Sequence, residues 1–326
     1  MSPQHGVASS EVASTRLRRH RPDGVPVYSW VTRPGRPPIG TLRLQGADVA
    51  PSTRVHQHAH DFLVLAYVEE GGGRLRLGET EHEVRAGEVL VVPPGLVLGA
   101  GREGFRDAAA WAVFFTPDAV EGRSPGALSS WRSHPLLLPF VGPGSPTVRR
   151  LTVPPADRSR FARRFTDLEA ELRDEPGARR QGATEAALAL LTLLLVDVAR
   201  LADDPSGRAG WDDPMLAAVF EVLARRYAEP LALRDVAAEV GLTPGHVTTA
   251  VRRRTGRTVQ QWLVEHRMAE ARRLLEGSDL LVGTVGARVG YPDPAYFARV
   301  FRRAHGMSPD AWRRSGRSGA QERRPG

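Results

Sequence analysis

The chain has 326 residues, of which 41% are hydrophobic and 25% are charged, and its formal net charge is +8 at pH 7. This length suggests about two domains of ordinary globular composition. The sequence contains no cysteine, which excludes disulfides, thiolate metal ligands and cysteine nucleophiles.

The positive charge is concentrated at the two ends of the chain. Residues 211–326 hold 19 Arg against 13 acidic residues, and residues 1–30 hold 4 Arg against 2. Residues 31–210 hold 22 of each. Because lysine is absent, the large number of arginines is weaker evidence for DNA binding than their uneven distribution along the chain. We therefore expect a polyanionic partner for the C-terminal third and the N-terminal tail.

The chain shows no signal for a membrane or for secretion. No secretory apolar segment opens it, and the longest apolar run, residues 186–196, is too short to cross a bilayer. We expect a cytoplasmic protein with no membrane partner.

The N-terminal part of the chain is predicted to be a basic tail followed by a β domain. Residues 1–25 lack apolar periodicity but carry four arginines, so we expect a disordered tail, with a DNA-contacting arm as the alternative. Residues 26–156 contain short apolar runs such as 62–68 and 89–92, separated by turn sequences such as Pro93-Pro94-Gly95. This pattern predicts a small barrel or jelly roll.

Two helices are predicted in residues 157–202. Phe161, Phe165 and Leu168 recur at helical spacing, and the second helix is apolar nearly all round, so it must be buried on most sides. Packing on the barrel and self-association both remain open, and we expect a homodimer formed through these helices. Residues 203–213 are predicted to be a polar linker, and residues 315–326 a disordered tail.

The C-terminal region, residues 214–314, contains the same local pattern twice. In the second copy Gly290 suits a helix end, Asp293 can cap the next helix, and Pro294 suits its first position. Gly241, 49 positions earlier, has the same place in the first copy, and one long helix is predicted between the copies. Two helix-turn-helix units on a rigid rod can place their second helices in successive major-groove segments, about 34 Å apart.

Residues 231–314 resemble the DNA-binding domain of AraC-type transcriptional regulators. The connecting helix carries the family's element as Arg267, Ala271, Leu274 and Leu275. The family's second-unit signature appears as Gly290-Tyr291, Asp293, Tyr296-Phe297, Arg299, Phe301-Arg302-Arg303, Gly306, Ser308-Pro309 and Trp312-Arg313. The resemblance implies an all-α domain that binds double-stranded DNA, with RNA polymerase as a further partner if the protein is an activator.

The resemblance also implies which side chains face the DNA. Those offered toward bases are Gly245, Thr248 and Thr249 in the first unit and Ala295, Tyr296 and Arg299 in the second. His246 lies on the same face. We expect Arg299 to contact a guanine, with a phosphate contact as the alternative. Backbone contacts are expected for the remaining cations, Arg252, Arg253, Arg302 and Arg303.

The chain departs from the family pattern in the supporting helix of the second unit. Gly286 stands where the family usually has alanine, and Gly283 lies one turn earlier. Each glycine costs about 1 kcal/mol in a helix interior. We therefore expect this helix to be soft in the absence of DNA.

Residues 54–98 resemble the cupin-like regulatory domain that often precedes this DNA-binding domain. His56, His58 and His60 alternate before a strand, as barrel metal ligands do. However, Leu63 and Val64 lie where the family's glutamate ligand is expected, and Leu98 lies where its later histidine is expected. We therefore expect no metal and no other cofactor.

A metal-free barrel can still hold a small molecule in its interior. The candidate effector-binding residues are His58, His60, Tyr67 and Trp111, with ordinary core as the alternative for the last two.

The leading hypothesis is a sequence-specific transcription regulator, not an enzyme, controlled by a small-molecule effector in the N-terminal barrel. One alternative is a cupin-type metal-dependent enzyme with an appended DNA-binding domain. Another is a regulator without an effector, in which the barrel is only a scaffold. An alkyl-transfer repair protein is excluded because the chain has no cysteine acceptor.

Overall fold

A computed structural model describes residues 15–45, 57–120, 136–140, 148–173, 181–202, 214–255 and 257–321. The strands are β1 (Thr15–His20), β2 (Pro26–Trp30), β3 (Ile39–Gln45), β4 (His58–His60), β5 (Leu63–Leu77), β6 (Thr80–Arg85), β7 (Glu88–Val92), β8 (Val97–Phe115) and β9 (Arg149–Thr152). The α-helices are α1 (Arg158–Leu172), α2 (Ala183–Ala202), α3 (Pro214–Arg226), α4 (Leu233–Glu239), α5 (Pro244–Thr255), α6 (Val259–Gly277), α7 (Val282–Arg288), α8 (Pro294–His305) and α9 (Pro309–Gln321). Short 3₁₀ helices lie at Pro117–Ala119, Leu138–Phe140 and Pro155–Asp157.

The strands form one curled sheet in the order β1-β2-β4-β8-β5-β7-β9, with β3 added on β8 and β6 on β5. Long strands β5 and β8 pair antiparallel over most of their length, and register shifts interrupt the pairing at several points. Such bulges bend a strand and increase its twist, so the sheet can curl. The predicted cupin-like architecture is confirmed, in the form of a half-barrel.

The two faces of the sheet have different neighbours. Tyr67 and Trp111, which are directly paired across β5 and β8, belong to the core that the sheet forms with α1 and α2. Phe62, Val64 and Leu90 belong to a separate cluster on the inner face of the half-barrel. Both alternating sets of side chains in β5 are therefore buried.

Helices α1 and α2 cover the outer face of the sheet. Phe161, Phe165 and Leu168 are buried, as their spacing predicts. Leu191, Leu194 and Leu195 of α2 join the same core, so packing on the sheet accounts for much of this helix's apolar surface. Leu193 is the large apolar side chain of α2 that stays exposed, at 45%.

The C-terminal helices form the two predicted helix-turn-helix units around the rod α6. The rod begins with a capping box, in which Thr258 accepts a hydrogen bond from the Gln261 amide while the Gln261 side chain accepts one from the Thr258 amide. The second unit has its own apolar cluster, which includes Phe297, Phe301 and Trp312.

The predicted tails are wrong where the structure describes them. Residues 15–20 are a strand rather than disordered chain, because β1 pairs with β2 and is held by Arg16, which donates to the carbonyl of Arg303, and by an Arg18–Asp61 ion pair. Helix α9 continues to Gln321, anchored by buried Trp312, whose Nε1 donates to Glu276 at 2.9 Å. The predicted linker 203–213 lies outside the described residues.

Within the described residues, no helix is both long enough and apolar enough to cross a membrane.

Candidate nucleic-acid interface

The first helix-turn-helix unit consists of α4, a turn and α5. The turn contains Gly241 at φ 68°, a left-handed conformation that glycine adopts at low cost. Val236 of α4 and Val247 and Val251 of α5 are buried, so the two helices pack through their apolar sides. The opposite side of α5 faces solvent.

Most of the predicted DNA-facing side chains of α5 are exposed. The exposed residues are Gly245, His246, Thr249, Arg252 and Arg253. Thr248 is half-buried, and its hydroxyl donates to the Pro244 carbonyl at 2.8 Å. Thr248 therefore has its hydroxyl proton engaged within the helix, which leaves its methyl group and an acceptor oxygen for any outside partner.

The second unit consists of α7, a turn and α8, and its capping follows the predicted chemistry. Gly290 has φ 82°, and Asp293 caps α8 by accepting a hydrogen bond from the Ala295 amide at 2.8 Å. Gly306 ends the helix at φ 80°. Phe297 and Phe301 are fully buried, which fixes the face that α8 turns outward.

The outward face of α8 carries the predicted DNA-facing residues of the second unit. The exposed residues are Ala295, Tyr296, Arg299, Arg302 and Arg303. The Arg299 guanidinium lies 5.7 Å from the centre of the Tyr296 ring, a cation–π contact that limits its freedom. Tyr296 is 49% exposed and also lies against Tyr291, at 5.8 Å between ring centres.

The motif residue Arg267 is buried and ties the rod to the segment between α3 and α4 and to the turn of the second unit. Its guanidinium donates to the carbonyls of Tyr227 and Glu229 at 2.6 Å, and it lies 5.0 Å from the centre of the Tyr291 ring. A Cβ on Gly290 would lie 2.9 Å from this guanidinium. In the sequence, Arg267 stands out only as part of the family motif. Its structural role comes from contacts with residues about 40 positions away, which local spacing does not indicate.

The buried histidines on the rod side of the domain add no positive charge. Burial lowers the pKa of His266 to about 4, and burial also lowers the pKa of His305 well below its ordinary value. The exposed arginines of α5 and α8 remain charged at any physiological pH.

We expect Gly283→Ala and Gly286→Ala to change the stability of the second unit in opposite directions. A Cβ at Gly283 would lie 3.4 Å from Pro294 Cγ, so the gain in helix propensity, about 0.5–1 kcal/mol, is retained. A Cβ at Gly286 would lie 2.9 Å from Cγ of buried Phe297, and such overpacking costs about 1–3 kcal/mol. Urea unfolding of both variants tests this, and a Gly286→Ala protein more stable than the parent would contradict it.

The predicted effector residues lie on two different faces of the sheet. His58 and His60 have ring centres 4.8 Å apart, and the His60 ring lies 4.8 Å from that of Phe62, in the inner-face cluster. Tyr67 and Trp111 instead stack on Phe165 of α1, at 5.8 and 6.0 Å. This corrects their assignment as pocket-lining residues: they are core, because the outer face of the sheet is covered by helices.

His60 is the buried member of the histidine pair. It is 7% exposed, and burial followed by the neighbouring His58 lowers its pKa well below the ordinary value, so its ring is neutral. Leu98 is paired directly opposite His58 across β4 and β8. The residue at the position expected for a later histidine ligand is thus apolar and adjacent to the pair. His56 lies outside the described residues.

Comparisons with known proteins agree with this arrangement. A model of a helix-turn-helix domain matches residues 236–315, and a model of the AraC-like ligand binding domain matches residues 47–195. The MmsAB operon regulatory protein of Pseudomonas aeruginosa is 30% identical over 272 residues, which cover 82% of this chain and 80% of that protein. The chain belongs to the AraC family of transcriptional regulators.

Other AraC-family proteins give similar matches. The transcriptional activator RhaR of Klebsiella pneumoniae is 25% identical over 297 residues, covering 87% of this chain and 96% of that protein. The DNA-binding domain of AdpA, solved in complex with a target DNA, is 32% identical and covers 34% of this chain and 99% of that domain, with a TM-score of 0.32. The two family models and the MmsAB regulatory protein show that the chain is a DNA-binding transcription regulator with an N-terminal ligand-binding domain.

Proposed function

We propose that one protomer of this regulator reads two neighbouring major-groove segments, with α5 in the first and α8 in the second. The observation that supports this is the pair of exposed polar and cationic helix faces joined to one rod. The rod α6 has 19 residues, which at 1.5 Å per residue is about 28 Å. This length is close to one turn of the duplex, about 34 Å.

We propose different roles for the exposed side chains. Thr249 and Arg299 stand on the outward faces of α5 and α8 and can reach base edges, Arg299 as a bidentate donor to guanine. Arg253, Arg302 and Arg303 contact phosphates and position the helices without reading sequence. Gly245 and Ala295 let the DNA backbone and thymine methyl groups approach closely.

Hydroxyl-radical footprinting of the full-length protein on selected genomic fragments tests this proposal. We expect two protected patches for each protomer, about one helical turn apart on the same face of the duplex. The patches should weaken separately, the first in Thr249→Ala and the second in Arg299→Ala. A single short patch for each protomer would contradict the proposal.

We further propose that the regulator works as a homodimer in the cytoplasm and is not an enzyme. Leu193, exposed on α2, is the residue around which we place self-association. A dimer on DNA would protect four patches rather than two. RNA polymerase would be a further partner if the protein activates transcription.

Control by a small molecule completes the proposal. His58 and His60 of β4 remain the candidate contacts on the inner side of the sheet, and no metal is assigned to them. An effector changes DNA binding only if it binds one arrangement of the two domains more tightly than the other. A site with walls from both domains meets that requirement most directly.

A further inference from the structure

A cavity of about 360 Å³ lies at the junction between the half-barrel and the first helix-turn-helix unit. Its walls come from β1, from the β4 end of the sheet, and from α5 and α6. The described residues that line it include five arginines, which are Arg18, Arg19, Arg21, Arg252 and Arg257. We call this space the arginine cavity. Its volume is within the range of small-molecule sites, roughly 300–1,000 Å³.

A bulge in β1 brings two consecutive arginines to the same cavity. Leu17 pairs with Tyr28 and Arg19 pairs with Val27, so Arg18 is an extra residue without a partner on β2. In a regular strand Arg18 and Arg19 would point to opposite faces. Bulges re-aim side chains in this way and are frequent beside functional sites.

The acidic groups near the cavity do not balance its cations. Among the residues that the structure describes, Asp61 is the one acidic residue that lines the cavity, and it pairs with Arg18 and Arg257. Arg257 also pairs with Glu265, and Arg21 pairs with Asp23 at 3.2 Å. Within the described part of the chain, Arg19 and Arg252 have no ion-pair partner.

Two further observations indicate that the cavity is prepared for an anion. Arg257 is 5% exposed, and its buried Nε has no hydrogen-bond acceptor among the described residues. Burial, and then the nearby charges of Arg18 and Arg252, lower the pKa of Arg19. The lowered pKa of Arg19 shows that its charge is unfavourable as placed, and an anion bound beside it would relieve this effect.

We propose that the arginine cavity binds a small anion with two or more negative charges, such as a di- or tricarboxylate or a phosphate ester. This rests on the proposed function, because it gives the chemical class of the effector and adds a site to it. Arginine forks match carboxylate and phosphate oxygens in pairs. A phosphate of the DNA backbone has the same chemistry, but Arg257 is too deeply buried between the domains for a duplex to reach it.

The anion is expected to oppose DNA binding. Arg252 belongs to the recognition helix α5, so an anion held by Arg19 and Arg252 engages a side chain that otherwise contacts the DNA backbone. It also ties α5 to β1 of the sensing domain. Because the coupling between two ligands is reciprocal, bound DNA must weaken the binding of the anion to the same extent.

Calorimetric titration of the full-length protein tests the site, with citrate and glycerol 3-phosphate as probes at constant ionic strength and glycerol as the neutral control. We expect at least one anion to bind saturably, with one site per protomer, and glycerol not to bind. Arg19→Gln is expected to raise the Kd about tenfold or more, since one charged hydrogen-bonding group is lost. Arg85→Gln is the matched control, because Arg85 is 75% exposed on β6 away from the cavity, and its Kd should equal that of the parent.

Three results would overturn the proposal: no saturable binding of either anion, binding that survives Arg19→Gln, or equal loss in Arg85→Gln. Arg21→Gln serves as a second cavity variant, so a folding defect in one variant does not decide the result.

A DNA titration separates the two sources of anion and separates this inference from the proposed function. The Kd for selected DNA is measured for each protein with and without saturating anion. The anion should raise this Kd in the parent and raise it less in Arg19→Gln. If Arg19→Gln weakens DNA binding as much as Arg252→Gln does in the absence of anion, the cavity binds the DNA backbone and the inference is overturned. If the footprints still show two sequence-specific patches for each protomer, the proposed function holds whether or not the cavity binds an anion.

Discussion

Replacing both Arg299 and Thr249 with alanine is expected to remove most of the preference of the full-length protein for its operator over random DNA. Arg299 alone should account for roughly 1–3 kcal/mol of discrimination, about 5- to 150-fold, at one base pair. The physical reason is its position: it stands on the outward face of α8, is held beside Tyr296, and α8 itself is fixed by the burial of Phe297 and Phe301.

Competitive binding to operator variants, measured over a range of salt concentrations, tests this expectation. Arg302→Ala is the matched comparison, because it removes an arginine from the same helix that we assign to the backbone. It should weaken all sequences alike and reduce the salt slope by about 1. Uniform weakening by Arg299→Ala would instead assign Arg299 to a phosphate. Unchanged preference in the double variant would refute the assignment of the two recognition helices.

Acid is expected to destabilise the DNA-binding domain through His266. This histidine lies in the rod α6, is 6% exposed, and has its ring centre 4.5 Å from that of Tyr227. Burial lowers its pKa in the folded state from 6.5 to about 4, with a smaller opposing effect of Glu270. Its Nε2 has no hydrogen-bond partner among the described residues, so no described acceptor would stabilise a proton on this nitrogen in the folded state.

The sign and size of the effect follow from proton linkage. Above pH 6.5 the histidine is neutral in both states, and its contribution to stability is fully present. As the pH falls from 6.5 to about 4, the unfolded chain takes up a proton that the folded chain does not bind, and stability is lost. The loss is about 2 kcal/mol at pH 5 and about 3 kcal/mol at pH 4.

Urea unfolding at pH 7 and pH 5 measures this loss, and the useful quantity is the difference between variants. His266→Gln removes the titrating ring, so its stability should fall less between the two pH values, by about 2 kcal/mol compared with the parent. His246→Gln is the matched control for the substitution itself, since it replaces an exposed histidine of α5 with the same amide. An unchanged pH dependence in His266→Gln would mean that this ring is protonated as easily in the folded state as in the unfolded one.

The two helix-turn-helix units were predictable because their signals are local. A glycine at the turn, a capping aspartate such as Asp293 and apolar residues three and four apart all act within one or two turns of chain. The exposed faces of α5 and α8 follow from those patterns. The packing reason for Gly286 does not follow from local patterns, because the clash of a Cβ with Phe297 depends on how closely α7 approaches α8.

The two ends of the chain were misjudged for a related reason. Strand β1 has five exposed residues out of six, so it shows no apolar alternation. Its order comes from main-chain pairing with β2, from the Arg18–Asp61 ion pair and from the hydrogen bond of Arg16 to the Arg303 carbonyl. Helix α9 similarly depends on Trp312, which is buried against the rod, rather than on the helix propensity of its own C-terminal residues.

Local patterns in the chain predicted the double helix-turn-helix unit and most of the side chains that α5 and α8 expose to solvent. The face of the sheet that holds Tyr67 and Trp111 depends on three-dimensional packing, since β5 is apolar on both faces and period-two alternation does not tell which one the helices cover. Only the tertiary structure, likewise, brought Arg19 to Arg252 and Arg257. Charge balance at that cavity depends on contacts such as that of Arg257 with Asp61, 196 positions apart, and a pattern confined to neighbouring residues contains no information about them.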